Sequence, residues 1–310
     1  MRRMTRRLLA PAVSVLLLTG LAACGSEESS SDSADDTAAA VETSPAETTD
    51  EAPGASSGAA GGECSPDSLE TTTAGTLTWG TSDPAFEPWM VDNDPANGEG
   101  FESAVAAAVT EQLGLTSTEW VRGTFDTIIA PGPKDFDVAI NQVSITDERR
   151  AAIDFSSSYY DARQAVIAIE GNPAASATSL AELADVRLGA AIGTTSLEAI
   201  NTLIAPAVEA AAFNSNDDAK LALSNGQVDA IVVDLPTAFF LTAVELDGGV
   251  IVGQLPQIDG QTEQFGLVLD LDSPLTDCVS QAVDALREDG TLADLEAEWL
   301  SETAGAPELS

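Results

Sequence analysis

The stretch DFDVAINQVSITDERRAAIDF, residues 135–155, decides the fold and the candidate site of this 310-residue chain. Its apolar segment, residues 136–140, predicts a strand with apolar side chains on both faces, which is typical of a parallel sheet covered by helices on both sides. Open α/β sheets bind ligands at the carboxyl ends of such strands. The polar residues that follow this strand are Asn141, Gln142, Ser144, Thr146 and Arg149.

Arg149 is the residue of this stretch best suited to binding an anion. Its planar guanidinium can hold a carboxylate through two parallel hydrogen bonds, and the hydroxyls of Ser144 and Thr146 would add donors. In the alternative interpretation, Thr146 only caps a helical turn over residues 148–152, and Arg149 and Arg150 are solvated charges. Both interpretations fit the stretch taken alone.

The charge of the chain excludes one class of partner. The chain has 51 acidic and 12 basic residues, giving a formal net charge of −39. Few cations are present to neutralise phosphates, so we expect no nucleic-acid partner and a monomer in solution. The chain has no histidine, which excludes imidazole catalysis and histidine metal sites. We predict no metal and no other cofactor.

The N-terminus is typical of a processed secretory signal. A basic start, MRRMTRR, precedes an apolar run over residues 8–21 and the sequence Leu21-Ala22-Ala23-Cys24, which resembles the lipobox of bacterial lipoproteins. The resemblance implies that residues 1–23 are a signal peptide and that Cys24 is acylated, for example with palmitate, so that lipid alone anchors the protein outside the cytoplasm. The alternative is an ordinary secretory signal with a chance cysteine. Residues 24–62 predict a disordered acidic tether.

The other two cysteines, Cys64 and Cys278, lie at the start and near the end of the predicted folded part. Disulfides persist outside the cytoplasm, so we expect a bridge that closes the domain. The alternative is a pair of free thiols.

Strands and helices alternate from residue 63 onward, which predicts an α/β fold. We expect a first lobe from residues 63–160 and 257–303, a second lobe from residues 161–256, and a disordered tail over residues 304–310. Two crossover strands would join the lobes and serve as a hinge. The facing strand ends of the lobes would then enclose a ligand cleft.

Three further clusters are candidates for this cleft. Ile192-Gly193-Thr194-Thr195-Ser196 would form an anion-binding turn at a helix N-terminus, or would only cap that helix. Asp234 follows an apolar strand and could bind an ammonium group, or could cap the helix expected at Pro236. Phe86 and Trp89 lie in a proline-containing loop and could cover the apolar part of a ligand, or could belong to the core.

Together these segments resemble the bacterial family 3 extracellular solute-binding proteins of polar amino-acid ABC importers. The resemblance covers about residues 70–302, and its most specific part is SITDERRAAIDFSSSYY, residues 144–160. It implies a two-lobed, periplasmic-binding-protein-like fold of type II. The other matching segments are GTLTWGTSDPAFEPW (75–89), FDVAINQV (136–143), LGAAIGTT (188–195), VDAIVVD (228–234) and LREDGTLADLEAEW (286–299).

The resemblance implies which residues hold the common part of an amino acid. Arg149 would hold the α-carboxylate, with help from Ser144 and from Thr194 or Thr195. Asp234 would take the α-ammonium, together with a backbone carbonyl near residues 141–142.

The resemblance also implies which residues surround the ligand side chain. Phe86 and Phe125 would sandwich it. Ser82 and Asp83 compete for the place of an aspartate that relatives carry in the first loop, because that loop is one residue longer here. The residues expected to line the end of the pocket that sets side-chain preference are Asn141 and Gln142.

The expected function is that of an extracytoplasmic lipoprotein that captures a polar or charged L-amino acid and delivers it to a membrane permease with a cytoplasmic ATPase. No catalysis is expected. One alternative is an enzyme that resembles cyclohexadienyl dehydratases of the same fold, with Asp83, Glu87 or Asp234 as general acid. Another alternative is an amino-acid sensor lipoprotein without a transport role.

The side chain of the ligand stays open at this level. A cation near the cleft, at Arg122, Lys134 or Arg163, would favour an acidic ligand. A carboxylate at Asp83 or Glu87 would favour a basic ligand, and the amides of residues 141–142 suit an amide ligand.

Overall fold

The structure is a computed structural model that describes residues 64–300 and 306–310. The predicted signal peptide, Cys24 and the tether lie outside the described residues. Among the helices that the structure describes, none is long and apolar enough to cross a membrane.

The elements alternate along the chain as an α/β fold requires. π-Helical turns at Ile200–Ile204 and Leu241–Glu245 extend the fifth and seventh helices. The strands are β1 Thr76–Ser82, β2 Ser117–Gly123, β3 Val138–Ala139, β4 Ile153–Ala162, β5 Gln164–Ile169, β6 Leu188–Ala191, β7 Ala211–Phe213, β8 Ala230–Asp234, β9 Gly249–Gln254 and β10 Glu263–Asp270. The helices are α1 Phe101–Gln112, α2 Phe125–Ile129, α3 Asp147–Arg150, α4 Leu180–Leu183, α5 Thr195–Ala199, α6 Asn216–Ser224, α7 Leu235–Phe240, α8 Thr276–Glu288 and α9 Thr291–Trp299.

The first lobe is built on a five-stranded sheet in the order β2-β1-β3-β10-β4. Strand β1 runs parallel to β2 and β3, whereas β10 runs antiparallel to β3 and β4. Strand β3 is shorter than the strand predicted over residues 136–140. Next to it, the buried Asp137 carboxylate accepts a hydrogen bond from the Thr78 backbone N–H at 2.8 Å. The two residues that remain still place Asn141 at the carboxyl edge of the sheet.

The core of this lobe is aromatic. The indole of Trp89 makes edge-to-face contacts with Phe101, Tyr160 and Phe265, with ring centroids 5.8–6.1 Å apart. Helix α1 starts after Gly100, which has a φ of 96°, and a Cβ atom at this position would lie 2.6 Å from the Trp89 carbonyl oxygen. Only glycine fits this close approach.

The second lobe is built on a five-stranded sheet in the order β7-β6-β8-β5-β9. Strands β6, β7 and β8 are parallel, and β5 runs antiparallel to β8 and β9. The chain enters this lobe between β4 and β5 and leaves it between β9 and β10. The predicted two-lobed α/β fold is therefore confirmed.

A disulfide joins Cys64 to Cys278, which confirms the pairing expected from the sequence. It ties the segment before β1 to helix α8, across 214 residues of sequence. The alternative of two free thiols is wrong for this structure.

The prediction of a disordered tail over residues 304–310 is wrong for residues 306–310. This segment lies along β9 of the second lobe, with a parallel bridge between Glu308 and Gln254. The Leu309 side chain is 3% exposed in the core of that lobe, and Gly253 leaves the room for it. The sequence did not indicate this because a short segment with one leucine has no periodicity; a distant apolar site and a free strand edge hold it in place.

We predict that Leu309→Ala lowers the free energy of unfolding by about 2 to 5 kcal/mol, the range for truncating a buried leucine. Urea unfolding is the measurement. The neighbouring Glu308→Ala is the control, because the Glu308 side chain is 63% exposed and its ion pair with Arg163 is long, at 3.9 Å. We expect the control to change stability by less than about 1 kcal/mol. Equal effects of the two variants would contradict the buried position of Leu309.

Candidate functional site

A cavity of about 100 Å³ lies between the two lobes, at the carboxyl ends of their strands. Most of the residues that the sequence singled out as ligand contacts line it, namely Ser82, Asp83, Phe86, Phe125, Asn141, Gln142, Ser144, Arg149, Thr194, Thr195 and Asp234. Two further candidates, Thr146 and Trp89, are not part of the lining. Ser196, which belongs to the predicted turn after β6, also lines the cavity. Sequence reasoning missed the other residues of the lining: Pro84, Thr124, Asn214, Ser215 and Asn216. The structure thus brings the predicted residues together, while their roles toward a ligand stay predictions.

Arg149 is held at this cavity by both lobes. The Thr146 hydroxyl caps α3 by accepting from the Arg149 backbone N–H at 3.2 Å, so the capping interpretation is correct for Thr146. The guanidinium, however, is not a solvated charge. It donates to the Ser144 carbonyl oxygen at 2.7 Å and to the Gly193 carbonyl oxygen at 3.0 Å, and it lies 5.5 Å from the centroid of the Phe125 ring.

The charge of Arg149 is held by neutral acceptors. Among the ion pairs within the described residues, none includes Arg149. Burial lowers the pKa of Arg149, and the negative charge of Glu263 opposes that effect. Carbonyl oxygens accept hydrogen bonds without carrying a full charge, so the site keeps a positive charge that suits a carboxylate.

Asp234 faces the same cavity from the second lobe. It precedes α7, yet its side chain makes no capping hydrogen bond. Instead, its Oδ1 accepts from the Gln164 side-chain amide at 2.7 Å. Burial, followed by the negative charge of Glu263, raises the pKa of Asp234 to about 8. A cation that enters the cavity would favour the ionised carboxylate.

Gln142 is committed to a partner that the sequence did not reveal. It has a φ of 47°, and its backbone N–H donates to Oε1 of the fully buried Glu102 at 2.7 Å. Its side-chain amide and the Tyr159 hydroxyl also donate to Glu102. Burial raises the pKa of Glu102 to about 7. The Gln142 amide nitrogen therefore supports the wall of the cavity.

Ser82 and Asp83 take different positions in the first loop. The Ser82 hydroxyl donates to the Asn141 side-chain oxygen at 2.8 Å, inside the cleft. The Asp83 side chain is 62% exposed and pairs with Arg122 at 3.1 Å. Ser82 is thus the inner of the two competitors, and it orients the Asn141 amide.

The aromatic residues divide between wall and core. Phe86 and Phe125 line the cavity. Trp89 is 1% exposed and belongs to the core, as one of the two interpretations predicted. Its indole N–H also donates to the Thr237 hydroxyl of the second lobe at 2.8 Å.

A model of the bacterial extracellular solute-binding proteins, family 3, matches residues 77–302, which is most of the chain. The chain belongs to this family. Family membership was predicted from the order of the motifs, and it is confirmed.

This solute-binding protein is similar to several amino-acid-binding proteins. It is 27% identical over 223 residues to the L-arginine-binding protein of Pseudomonas aeruginosa, covering 70% of this chain and 85% of that protein. A solved structure of an ancestral arginine-binding protein bound to arginine is 29% identical, with a TM-score of 0.62, covering 73% of this chain and 98% of that one. The ancestral amino acid-binding protein AncCDT-1, named as a precursor of cyclohexadienyl dehydratase, is 29% identical with a TM-score of 0.59, covering 73% of this chain and 95% of that one.

The solute-binding protein shows no metal site in its described part: within residues 64–300 and 306–310, no cluster of histidine, cysteine, aspartate and glutamate could hold an ion.

The structure also reveals Glu263, which sequence reasoning did not single out. It lies at the start of β10, where no apolar period or motif marks it.

We predict that the free energy of unfolding without ligand falls as pH rises from about 5 to about 8. Asp234 and Glu102 have folded-state pKa values of about 8 and about 7, above their usual 3.8 and 4.5. The folded protein therefore holds these protons more tightly, and that stabilisation is lost as pH rises through the folded pKa values. Urea unfolding across this pH range is the measurement.

The Asp234→Asn variant isolates one contribution, because asparagine cannot titrate. We expect a shallower decline with pH in this variant than in the wild type. Parallel curves for the two proteins would show that Asp234 is already ionised in the folded state.

Proposed function

We propose that this family 3 solute-binding protein binds a free L-amino acid between its lobes and delivers it to an ABC importer, without catalysing a reaction. One observation carries the proposal: Arg149, a cation without a carboxylate partner among the described ion pairs, faces the same cavity as Asp234. A zwitterion needs a positive and a negative group in one cleft. The amino-acid-binding relatives support this assignment.

The surroundings of the cavity favour a neutral polar or basic side chain over an acidic one. The cations that could attract an acidic ligand are engaged elsewhere or lie away from the cavity. Arg122 binds Asp83, and the Lys134 ammonium donates to backbone carbonyls of residues 127 and 130. Arg163 is not among the residues that line the cavity. Asn141, Asn214 and Asn216 add neutral polar groups to the lining.

A thermal-shift screen with the twenty amino acids tests the ligand class, because a ligand that binds only the native state raises its stability. We expect the melting temperature to rise with L-glutamine, L-arginine or similar amino acids and to stay unchanged with L-glutamate or L-aspartate. A shift with the acidic pair alone would overturn the side-chain assignment, and no shift with any amino acid would overturn the proposed function.

We predict that Arg149→Ala weakens binding of the best ligand by about 2 to 5 kcal/mol, the range for leaving a buried charge without its partner. Titration calorimetry is the measurement. Arg150→Ala is a matched control, since Arg150 is the next residue, is exposed, and lies over Phe155 with 5.8 Å to the ring centroid. We expect the control to bind within about twofold of the wild type. Unchanged affinity in Arg149→Ala would refute the carboxylate assignment.

An enzyme of the dehydratase type is the second candidate, and the raised pKa of Asp234 favours it, because burial keeps a proton on an acid at the cavity near neutral pH. The chain is similar to AncCDT-1, which is named both as an amino acid-binding protein and as a precursor of cyclohexadienyl dehydratase. Turnover of cyclohexadienyl acids by the wild type, abolished in Asp234→Asn, would replace the binding proposal.

We propose further that the protein acts outside the cytoplasm as a monomer, held at the membrane through acylated Cys24. The lipobox-like sequence and the family support this. We predict that Cys24→Ala releases the protein from the membrane fraction and prevents incorporation of labelled palmitate. Retention of the variant in the membrane fraction would refute the lipid anchor.

A further inference from the structure

Glu263 lies where the two lobes meet, at the first residue of β10, just after the chain returns from the second lobe. It is not part of the cavity lining, and no role was expected for it. Its carboxylate nevertheless contacts two hydroxyls of the cavity lining, those of Ser144 and Thr195. These two hydroxyls belong to different lobes.

One oxygen of Glu263 receives both hydroxyls. Oε1 accepts from Ser144 Oγ at 2.5 Å and from Thr195 Oγ1 at 2.6 Å, and these hydroxyl oxygens are 3.2 Å apart. The other oxygen, Oε2, accepts from the Gln164 amide at 3.1 Å, and the same amide nitrogen donates to Asp234. The Ser144 and Thr195 hydroxyls therefore share one acceptor atom on Glu263.

Ser144 and Glu263 belong to segments that are bonded to each other within the first lobe. Backbone hydrogen bonds join their segments inside the first lobe, from the Ile145 N–H to the Gln264 carbonyl at 2.8 Å and from the Gly266 N–H to the Val143 carbonyl at 3.0 Å. Thr195, by contrast, begins α5 of the second lobe. The bond from Thr195 to Glu263 therefore joins the two lobes.

Arg149 bridges the same two segments through their backbone, at the Ser144 and Gly193 carbonyls. The junction between the lobes thus has a cation that binds carbonyl oxygens and an anion that binds hydroxyls. The cation faces the cavity and remains open to an anionic group. The Glu263 carboxylate lies behind the lining and accepts hydrogen bonds from three side chains of the protein itself.

We propose that Glu263 is a positioning residue that holds the lobes together before a ligand arrives, through its hydrogen bond to Thr195. The contact sets the ratio of closed to open molecules and fixes the direction of the Ser144 and Thr195 hydroxyl protons. This inference extends the proposed function, because a solute-binding protein works by opening and closing, but its test needs no ligand.

The test measures the closed fraction of the ligand-free protein by energy transfer between dyes at exposed positions of the two lobes, Glu111 and Asn225, each replaced by cysteine in a Cys24→Ala background. Glu263→Ala should lower the closed-to-open ratio about tenfold, the size expected for losing one hydrogen bond to a charged group. Glu263→Gln keeps a carbonyl oxygen for the hydroxyls but loses the charge. It should give an intermediate ratio.

Two further variants separate the contact from a general loss of structure or charge. Thr195→Val removes the moving hydroxyl, so Glu263→Ala should have little additional effect in that background. Glu198→Ala removes a nearby exposed carboxylate that makes no bond to either hydroxyl, and it should leave the ratio unchanged. Circular dichroism spectra identical to that of the wild type confirm that each variant is folded.

An unchanged ratio in Glu263→Ala, or equal effects of Glu263→Ala with and without Thr195→Val, would overturn the proposal. L-Arginine and L-glutamine then serve as probes of the cavity. The wild type could bind neither amino acid while the Glu263→Ala variant still shows a lower closed-to-open ratio. That result would support the role of Glu263 and count against these two ligands. Failure of the proposed function and failure of this inference are therefore distinguishable.

Discussion

The candidate site depends on one interaction: the Arg149 guanidinium donates hydrogen bonds to a carbonyl oxygen of each lobe. Neither carbonyl neutralises the charge, so the junction keeps a positive charge at a cavity inside a strongly acidic protein. The cap at Thr146 fixes α3, and the turn at Gly193 supplies the second carbonyl. Each lobe thus contributes one of the two carbonyl oxygens that hold the guanidinium.

The acidic groups near the Arg149 guanidinium form their hydrogen bonds with other residues. Glu102 is buried behind the wall, with its pKa raised to about 7 by burial, and receives Gln142 and Tyr159. Glu263 accepts from Ser144, Thr195 and Gln164. Burial raises the pKa of Asp234 to about 8. Each of these three acidic groups is therefore hydrogen-bonded to other residues or has a raised pKa. None of them forms an ion pair with Arg149 among the described residues, so the guanidinium remains free to bind another anion.

Much of the site could be predicted because strand ends in α/β sheets meet at one edge. Asn141, Thr195 and Asp234 each follow a buried strand, and the structure places all of them at the cavity. Contacts that join distant segments were not predictable. The Glu102 carboxylate reaches Gln142 across 40 residues, and Glu263 reaches Ser144 across 119, with no local pattern to mark either pair. The burial of Leu309 was not predictable for the same reason.

The sequence by itself determined the α/β class, the family and the residues at the strand ends, because these follow from periodicity, composition and the order of motifs. It indicated a bridge between Cys64 and Cys278 but left two free thiols as the alternative, which only the structure excluded. Tertiary structure alone decided how those residues are used. It shows that Arg149 is held by carbonyls, that Gln142 supports the wall, and that Asp234 does not cap its helix. These choices depend on which polar groups burial brings within hydrogen-bonding distance, and such distances arise only when the two lobes are folded and in contact.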